Sequence, residues 1–439
     1  MTEWRKVRLG DISQSNISTY SLSESWEFVN YLDTGNITNG TVDQIQFIDL
    51  KKENLPSRAR RKVSFNDIIY STVRPNQKHY GRITNNIENL LVSTGFTVIT
   101  VDPIQADSKF IFYVITQKEY TEKLQTIAEQ NVSTYPSIKP SDLEDLIFSL
   151  PPLDVQRKIA GILGALDDKI EVLREQNKTL EKMAQAVFQS WFVDFDIVRA
   201  KAAGLPTADV CKKYHITPDI YDLFPSAFSA DNLPQGWTIG KIKNLCFDIQ
   251  SGGTPQRNIK EYWCPPTIPW LSSGEVNFPI IIHTKEKISE EGLRNSSAKI
   301  WKKYTTVVAM YGATAGEATL LGIDVSANQA CCALIPYKYT IYYVYLLAKA
   351  NKNIYALAAN GAAQQNLNKT KVSELEVIIP DAIILTCFQN LISSFFEKII
   401  ENSKQIHTLE QTRDTLLPQL LGGKLDVKNV SLSILDNRI

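Results

Sequence analysis

The chain contains two copies of one long segment, and this repeat limits the possible folds more than any other feature. Residues 138–192 align with residues 367–421 without a gap, at a constant offset of 229 residues that places Pro151 on Pro380. Upstream of each copy a weaker likeness runs in the same order. Because each repeat of a duplicated chain forms one structural unit, we expect two similar halves related by a pseudo-twofold axis.

Both copies carry mostly apolar residues at alternating spacings of four and three. In the first copy these residues are Ile159, Leu163, Leu166, Ile170, Leu173, Asn177, Leu180, Ala184, Val187 and Trp191. In the second copy they are Phe388, Ile392, Phe395, Ile399, Asn402, Ile406, Leu409, Arg413, Leu416 and Leu420. A repeat of 3.5 residues held over this length is typical of a coiled-coil seam. Each helix could instead dock on its own globular neighbour, but so narrow a stripe favours a partner helix with a matching seam.

Local signals predict where the two long helices begin and end. Each should begin just after a proline, Pro152 or Pro380, because proline is poorly tolerated inside a helix. Asp154 and Asp381 occupy capping positions, and Gly422-Gly423 is a suitable C-terminal stop for the second helix.

Two polar residues within the seams predict the helix register. If the helices run antiparallel and Asn177 meets Asn402, the residue numbers of every seam pair add to 579. Small Ala184 then faces large Phe395, as close packing requires. The weakest layer sets Leu166 against Arg413, whose guanidinium must reach water or a carboxylate such as Asp167. Any slip of the register would leave buried amides unsatisfied.

The sequence outside the helices predicts two mixed α/β units. Short β-like runs at 63–72, 96–101 and 305–310 are joined by amphipathic helices near 109–128 and 340–358. The predicted fold class is therefore α+β, with two mixed α/β units separated by two long helices that form an antiparallel coiled coil. The predicted boundaries are 1–150 for the first unit, 151–195 for the central helix, 196–235 for a proline-rich connector, 236–380 for the second unit, 381–424 for the C-terminal helix and 425–439 for a tail.

Composition excludes several classes of protein. The six cysteines show no C-x-x-C spacing and the four histidines do not cluster with them, which argues against a zinc site and against a secreted disulfide framework. The N-terminus lacks the apolar stretch of a signal peptide, and no run of about 18 apolar residues appears. We expect a cytoplasmic protein that does not span a membrane. Since 47 basic residues balance 47 acidic ones, any electrostatic argument for a nucleic-acid partner must be local.

Motifs of catalysis are absent from the sequence. It has no phosphate-binding G-x-x-x-x-G-K-[ST] loop and no G-x-G-x-x-G turn. The glycine-spaced segment 312–316 lacks a lysine, and 264–267 has the wrong residues for an amino-methyltransferase tetrapeptide. We interpret Cys331 and Cys332 as alternating residues of a buried strand. The chain is therefore predicted to have no catalytic residues and no metal site, although catalytic pairs can be distant in sequence.

Basic residues are concentrated between 51 and 82, where nine lysines and arginines accompany two acidic residues. Between 241 and 303 ten basic residues accompany six acidic ones. Arginine suits phosphates and guanine edges, and the nearby Asn76, Gln77 and Tyr80 could pair with bases. A solvated charged face remains the alternative for each run.

Leu150–Gly204, with the sequence LPPLDVQRKIAGILGALDDKIEVLREQNKTLEKMAQAVFQSWFVDFDIVRAKAAG, resembles the central helical region of type I restriction-modification specificity subunits. The second half is similar to their target-recognition domain in these segments: SGGTP (251–255), EYW (261–263), IPWLSSGEV (268–276), ISEEGL (288–293), SANQA (326–330) and GAAQQNLNK (361–369). The first half lacks an SGGTP equivalent, and NVSTYPS (131–137) stands where a glycine-glutamine loop is expected.

This resemblance implies a non-catalytic subunit that directs the activity of partners. Each target-recognition domain would read one half of a split, asymmetric site in double-stranded DNA, with the helices as spacer. Two methyltransferase subunits that bind S-adenosylmethionine would methylate adenine, and two motor-nuclease subunits using ATP and magnesium would cleave; this chain itself would hold no cofactor. A self-contained DNA-modifying enzyme is disfavoured by the missing motifs. A structural coiled-coil adaptor is disfavoured by the two large globular halves.

Two sets of contact residues are predicted. The DNA-binding candidates are Arg58, Arg60, Arg61, Lys62, Arg74, Asn76, Lys78 and Arg82 in the first half, and Thr254, Arg257, Tyr311, Thr314, Gln364, Gln365 and Asn366 in the second. Trp191, Phe192 and Phe195 at the end of the first long helix are predicted to dock a partner subunit, with packing on the chain's own domain as the alternative.

Overall fold

The computed structural model describes residues 4–21, 23–131, 136–360 and 367–427. The chain forms two compact units. The first comprises residues 1–170 and 409–439, and the second comprises residues 171–408. Each unit therefore contains one part of each long helix.

The first unit is a mixed α/β domain. Its strands are β1 (Arg5–Arg8), β2 (Ser13–Ser15), β3 (Phe28–Leu32), β4 (Ile37–Thr38), β5 (Thr41–Val42), β6 (Gln46–Asp49), β7 (Ala59–Lys62), β8 (Ile68–Ser71), β9 (Tyr80–Arg82), β10 (Leu90–Ser93), β11 (Phe96–Val101) and β12 (Ile147–Leu150). Its short helices are α1 (Ser108–Ile115), α2 (Lys118–Asn131) and α3 (Pro140–Glu144). Two four-stranded sheets have the orders β6-β3-β10-β7 and β2-β11-β8-β9, and β1 pairs with β12.

The second unit repeats this plan. The central helix α4 (Leu153–Phe192) enters it and is followed by α5 (Asp196–Ala202), α6 (Thr207–Tyr214) and α7 (Pro218–Leu223). Then come β13 (Thr238–Lys241), β14 (Cys246–Ser251), β15 (Ile268–Leu271), β16 (Ile280–Ile281), β17 (Glu286–Ile288), α8 (Glu290–Arg294), β18 (Thr306–Ala309), β19 (Ala318–Leu321), β20 (Ser326–Ala327), β21 (Cys331–Pro336), α9 (Ile341–Ala350), α10 (Lys352–Asn360), α11 (Lys369–Ser373), β22 (Glu376–Ile379) and α12 (Ala382–Leu421). The sheet orders are β14-β21-β18-β19-β16, β17-β15-β20 and β13-β22.

Strand pairing shows the duplication directly. The antiparallel pair β1–β12 of the first unit corresponds to β13–β22 of the second. The parallel pair β3–β10 corresponds to β15–β20, and the hairpin β8–β9 corresponds to β18–β19. The expected α+β fold with an internal repeat is therefore what the structure has.

Some predicted elements are shortened or divided in the structure. The strand expected at 63–72 is shorter in the structure: β8 occupies only Ile68–Ser71, because the chain turns before it at Asn66, whose φ is 73°. The helix expected at 109–128 breaks after Ile115, where the Thr116 hydroxyl donates to the Phe112 carbonyl. The helix expected at 340–358 divides at Asn351, whose side chain caps the Leu347 carbonyl.

Within the second unit the two long helices pair in the register predicted from the seam asparagines. Asn402 is fully buried, and its Nδ2 donates to Asn177 Oδ1 at 3.0 Å. Asn177 Nδ2 in turn donates to Ser403 Oγ at 3.2 Å. At the far end of this part, the ring centroids of Trp191 and Phe388, another pair whose numbers add to 579, lie 5.8 Å apart.

Within the first unit the weak layer is satisfied as anticipated. Arg413 Nη1 donates to Asp167 Oδ1 at 2.8 Å, and the Arg413 side chain is 19% exposed. Tyr113 of α1 also donates to the Asp167 carboxylate. Burying the Arg413 guanidinium against Leu166 alone would cost free energy. Its pairing with a carboxylate offsets that cost, as is usual for buried charges.

The helix ends agree with the local signals, except that Asp154, expected to cap α4, lies inside its first turn. α4 begins at Leu153, directly after Pro152, and α12 begins at Ala382 with the Asp381 carboxylate accepting from the Ile383 backbone N–H at 2.7 Å. Helix α12 is long and apolar enough to cross a membrane by length and composition alone. In the structure its residues Phe388 and Ile392 are buried in the core of the second unit. Of its most apolar 18-residue stretch, 39% is buried in this way.

Candidate DNA-binding surfaces

In the second unit, four loops meet where the parallel strands β15 and β20 end. We call residues 251–254, 272–275, 310–316 and 328–330 the second strand-end surface. The backbone N–H of Asn328 donates to the Leu271 carbonyl at 3.0 Å, and that of Gly253 donates to the Ala327 carbonyl at 2.8 Å. The Thr314 hydroxyl donates to the Ser273 carbonyl at 2.9 Å. These bonds hold all four loops in one arrangement.

Two glycines of this surface are required by close backbone contact. A Cβ on Gly252 would lie 2.1 Å from the Asn328 carbonyl oxygen, and a Cβ on Gly253 would lie 2.5 Å from the backbone carbon of Ser297. Only glycine lets the end of β14 pass so near its neighbours. The glycines thereby bring Thr254 beside Gln329, and the Thr254 hydroxyl donates to Gln329 Oε1.

A buried carboxylate shapes the second of these loops. Glu275 is only 4% exposed, and its Oε2 accepts from the Ser272 hydroxyl at 2.7 Å while its Oε1 accepts from the Lys285 backbone N–H at 2.9 Å. A buried charge needs such partners. The loop from Ser272 to Gly274 is consequently rigid although its tip is exposed.

The first unit presents counterparts of three of these loops, while its fourth segment, 56–58, precedes β7 and does not correspond to 251–254, which lies at the end of β14. We call residues 33–36, 56–58, 72–78 and 94–95 the first strand-end surface, at the end of the parallel pair β3–β10. The Thr94 backbone N–H donates to the Arg58 carbonyl at 2.8 Å, and the Thr72 N–H donates to the Gly95 carbonyl at 2.8 Å. One topology thus builds a similar surface twice, with different side chains at each.

Comparisons with known proteins identify the duplicated domain. A model of the type I restriction modification DNA specificity domain matches residues 1–182 and again residues 234–412. The chain belongs to the type I restriction-modification specificity family. It is 30% identical to the type I restriction enzyme HindI specificity subunit of Haemophilus influenzae, over 97% of this chain and 100% of that one. It is 26% identical to the MjaIX specificity subunit of Methanocaldococcus jannaschii, over 74% of this chain and 70% of the relative.

A solved structure shares the fold of this specificity-family chain. The S subunit of a type I restriction-modification system from M. genitalium superposes with a TM-score of 0.54 at 15% sequence identity, covering 95% of this chain and 96% of that one. The likeness supports the duplicated architecture.

Of the basic residues predicted in the first unit of this specificity protein, the structure brings together Arg58, Arg74 and Lys78, all of which are exposed at the first strand-end surface together with Asn76. Arg74 and Lys78 have positive φ values, 47° and 56°, on either side of the short turn Pro75–Gln77. Such backbone conformations are costly for residues other than glycine and are often retained at functional sites. The Asn76 N–H anchors the turn to Gln125 of α2 at 3.1 Å.

The other predicted basic residues lie apart from this loop cluster. Arg60, Arg61 and Lys62 follow β7 away from the surface, and four residues of strand span roughly 13 Å. Lys62 pairs with Glu24 and lies 5.2 Å above the Trp26 ring. Arg82 lies at the opposite end of the β8–β9 hairpin, where its Nη1 donates to Asn66 Oδ1 at 2.6 Å and burial lowers its pKa. The cluster of basic residues is therefore smaller than the sequence predicted, because strand pairing places β7 and β9 in different sheets.

Three candidates of the second unit lie in the strand-end loops: Thr254, Tyr311 and Thr314. The side chain of Arg257 is instead engaged by other side chains of the unit. Its guanidinium makes two bonds to Glu286, at 2.6 and 2.9 Å, and lies 3.9 Å from the centre of the Trp263 ring. The bond from Arg257 lowers the pKa of Glu286. Gln364, Gln365 and Asn366 lie outside the described residues. Sequence reasoning missed Gln329, whose only signal was its place in the SANQA segment.

The predicted docking role of Trp191, Phe192 and Phe195 is wrong. They are 2%, 2% and 8% exposed and belong to the core of the second unit. The Phe192 ring centroid lies 4.7 Å from that of Tyr343 and 4.9 Å from that of Phe388. A side chain buried inside its own domain cannot receive a partner, so the packing alternative holds.

The cysteines of β21 face opposite sides of a buried strand, as expected. Cys331 belongs to one apolar cluster and Cys332 to another. Burial raises the pKa of the Cys332 thiol to about 12, so it stays protonated near neutral pH. Within the described residues, no group of three His, Cys, Asp or Glu side chains could hold a metal ion.

Proposed function

We propose that this chain is the DNA-reading subunit of a type I restriction-modification complex and that each unit reads one half of a split site. The observation that carries the proposal is the strand-end surface, which occurs once in each unit and is built from three corresponding loops. Residues 33–95 of the first unit would read one half-site. Residues 251–330 of the second unit would read the other. Because different side chains occupy the two surfaces, the two half-sites would differ in sequence.

The chemistry would be supplied by partners. Two methyltransferase subunits would bring S-adenosylmethionine, and two motor-nuclease subunits would bring ATP and magnesium; this chain would hold none of these and would act in the cytoplasm. Its family membership supports the assignment. In this arrangement the paired long helices act as a spacer, since reading two half-sites requires a fixed separation.

For the methyltransferase subunit we propose a docking position on the long helices to replace the aromatic residues assigned from sequence. A groove of about 650 Å³ in the second unit is lined by Glu171, Val172, Glu175, Thr179 and Lys398, among others. Val172 is 52% exposed there and is therefore accessible to a partner. Apolar floor and charged rim are the usual composition of a protein interface.

The proposal is tested by reconstitution. The purified chain alone should not transfer methyl groups to DNA, whereas the chain mixed with its methyltransferase subunit should methylate adenines at a two-part sequence. The methyltransferase subunit without this chain is the control and should lack sequence preference. Methyl transfer by the isolated chain would favour the self-contained enzyme instead.

A second expected result concerns the salt dependence of DNA binding. Arg74→Glu and Lys78→Glu, measured in the assembled complex, should each reduce the slope of log K against log salt by about one unit if each side chain contacts a phosphate. Lys51→Glu is the matched control because Lys51 is paired with Glu27 at 3.0 Å, away from the loops. Equal slopes for all three variants and the parent would remove these loops from the DNA interface.

A further inference from the structure

Gln329 belongs to the second strand-end surface, in the turn that joins two of its strands. It lies in the turn between β20 and β21 and its side chain is exposed, whereas Ala330 beside it is buried. The Thr254 hydroxyl, from a loop 75 residues earlier in the chain, donates to Gln329 Oε1. An exposed glutamine side chain is ordinarily free to rotate, whereas this bond from a separate loop restricts its rotation.

The backbone around Gln329 is fixed on both sides. The Asn328 side chain accepts from the Ala330 N–H at 3.2 Å, and the Ala330 carbonyl accepts from the Met310 N–H at 2.7 Å. The backbone N–H of Gly253, directly before Thr254, donates to the Ala327 carbonyl at 2.8 Å. The amide is therefore held in a set orientation before any ligand arrives, which reduces the entropic cost of binding.

The chemistry of a glutamine amide matches one base edge best. In the major groove adenine presents an N6 donor beside an N7 acceptor, and a glutamine pairs with both, through its carbonyl and its NH2 group. Guanine presents two acceptors there and would oppose the carbonyl. The hydroxyl of Thr254 uses one lone pair of Gln329 Oε1, which leaves the second lone pair and the NH2 group for a base.

We propose that Gln329, oriented by Thr254, reads an adenine in the half-site of the second unit. This inference rests on the proposed function. The first strand-end surface has Thr94-Gly95 at the corresponding turn, so no glutamine stands there. Gln329 is accordingly a determinant of specificity for one half-site alone.

The test uses the full chain assembled with its methyltransferase subunit and a DNA library with randomised half-sites, read by sequencing the methylated molecules. Gln329→Ala should relax one position of one half-site from adenine to any base, with about a tenfold to hundredfold loss of discrimination there. Thr254→Val should relax the same position to a smaller extent. Gln235→Ala, at an exposed glutamine in the connector, should leave the recognised sequence unchanged.

The alternative outcomes are distinct. Relaxation at a position where the parent selects guanine, cytosine or thymine overturns the adenine assignment. A uniform loss of methylation with an unchanged sequence preference overturns base reading by Gln329. If the parent complex itself shows no two-part preference, the proposed function fails, and that result is seen without any variant.

Discussion

Replacing Gly252 by alanine is expected to destabilise the second unit by about 3 kcal/mol, the upper part of the range for overpacking, and to abolish recognition of its half-site. The new Cβ would lie 2.1 Å from one backbone carbonyl oxygen and 2.5 Å from another. Backbone atoms of a paired strand cannot move aside as a flexible side chain can. The loop carrying Thr254 would therefore separate from the turn carrying Gln329.

Gly274→Ala is the matched control. Gly274 lies in the same strand-end surface, but nothing comes within 4 Å of a Cβ built there, and its backbone does not need a positive φ. Gly252→Ala should lower the stability measured by chemical denaturation and change the methylation pattern. Gly274→Ala should change neither. Similar stability and similar specificity for Gly252→Ala and Gly274→Ala would show that the close contact of β14 with the β20–β21 turn is not needed.

Phe192→Ala should lower the free energy of unfolding of the second unit by about 4 kcal/mol, as for other fully buried aromatic residues. Phe192 is 2% exposed and packs against the rings of Trp191, Trp237, Tyr343 and Phe388. Truncation would leave a cavity that these rigid rings cannot fill. The loss should appear in the isolated chain, without any partner.

Val193→Ala provides the comparison for this variant, because the neighbouring Val193 is 44% exposed and should change stability little. The two variants also separate packing from docking. If Phe192→Ala unfolds like the parent chain but fails to bind the methyltransferase subunit, then the aromatic run would be an interface after all, and its burial here would need another explanation.

The helix pairing could be predicted from sequence because few solutions satisfy it. One polar pair, Asn177 with Asn402, together with the volumes of Ala184 and Phe395, leaves a single register, in which only the layer of Arg413 needs an additional carboxylate. The position of a charged residue within a sheet could not be predicted in the same way. Arg60 and Arg82 looked equivalent in a list of basic residues, but strand pairing places them in separate sheets.

The recognition surfaces could be predicted only in part for a similar reason. Gly252 and Gly253 stood out as a motif, but the atoms that require them, the carbonyl of Asn328 and the backbone of Ser297, are distant in sequence. Arg257 appeared suited to DNA until its contacts with Glu286 and Trp263 were seen. Long-range contacts of this kind determine whether a polar side chain is free to bind a ligand.

The polar layer of the coiled coil also makes the two halves of the duplicated chain unequal partners. If the first long helix met a second copy of itself in the equivalent register, Asn177 would face Leu173 instead of Asn402. If the second helix did so, Asn402 would face Ile406 and Arg413 would face Phe395 without Asp167. Each such homotypic pair would bury two amides without partners, at about 1–3 kcal/mol each. Although duplication produced two helices of one ancestry, their side chains now select the heterotypic pair found within one chain.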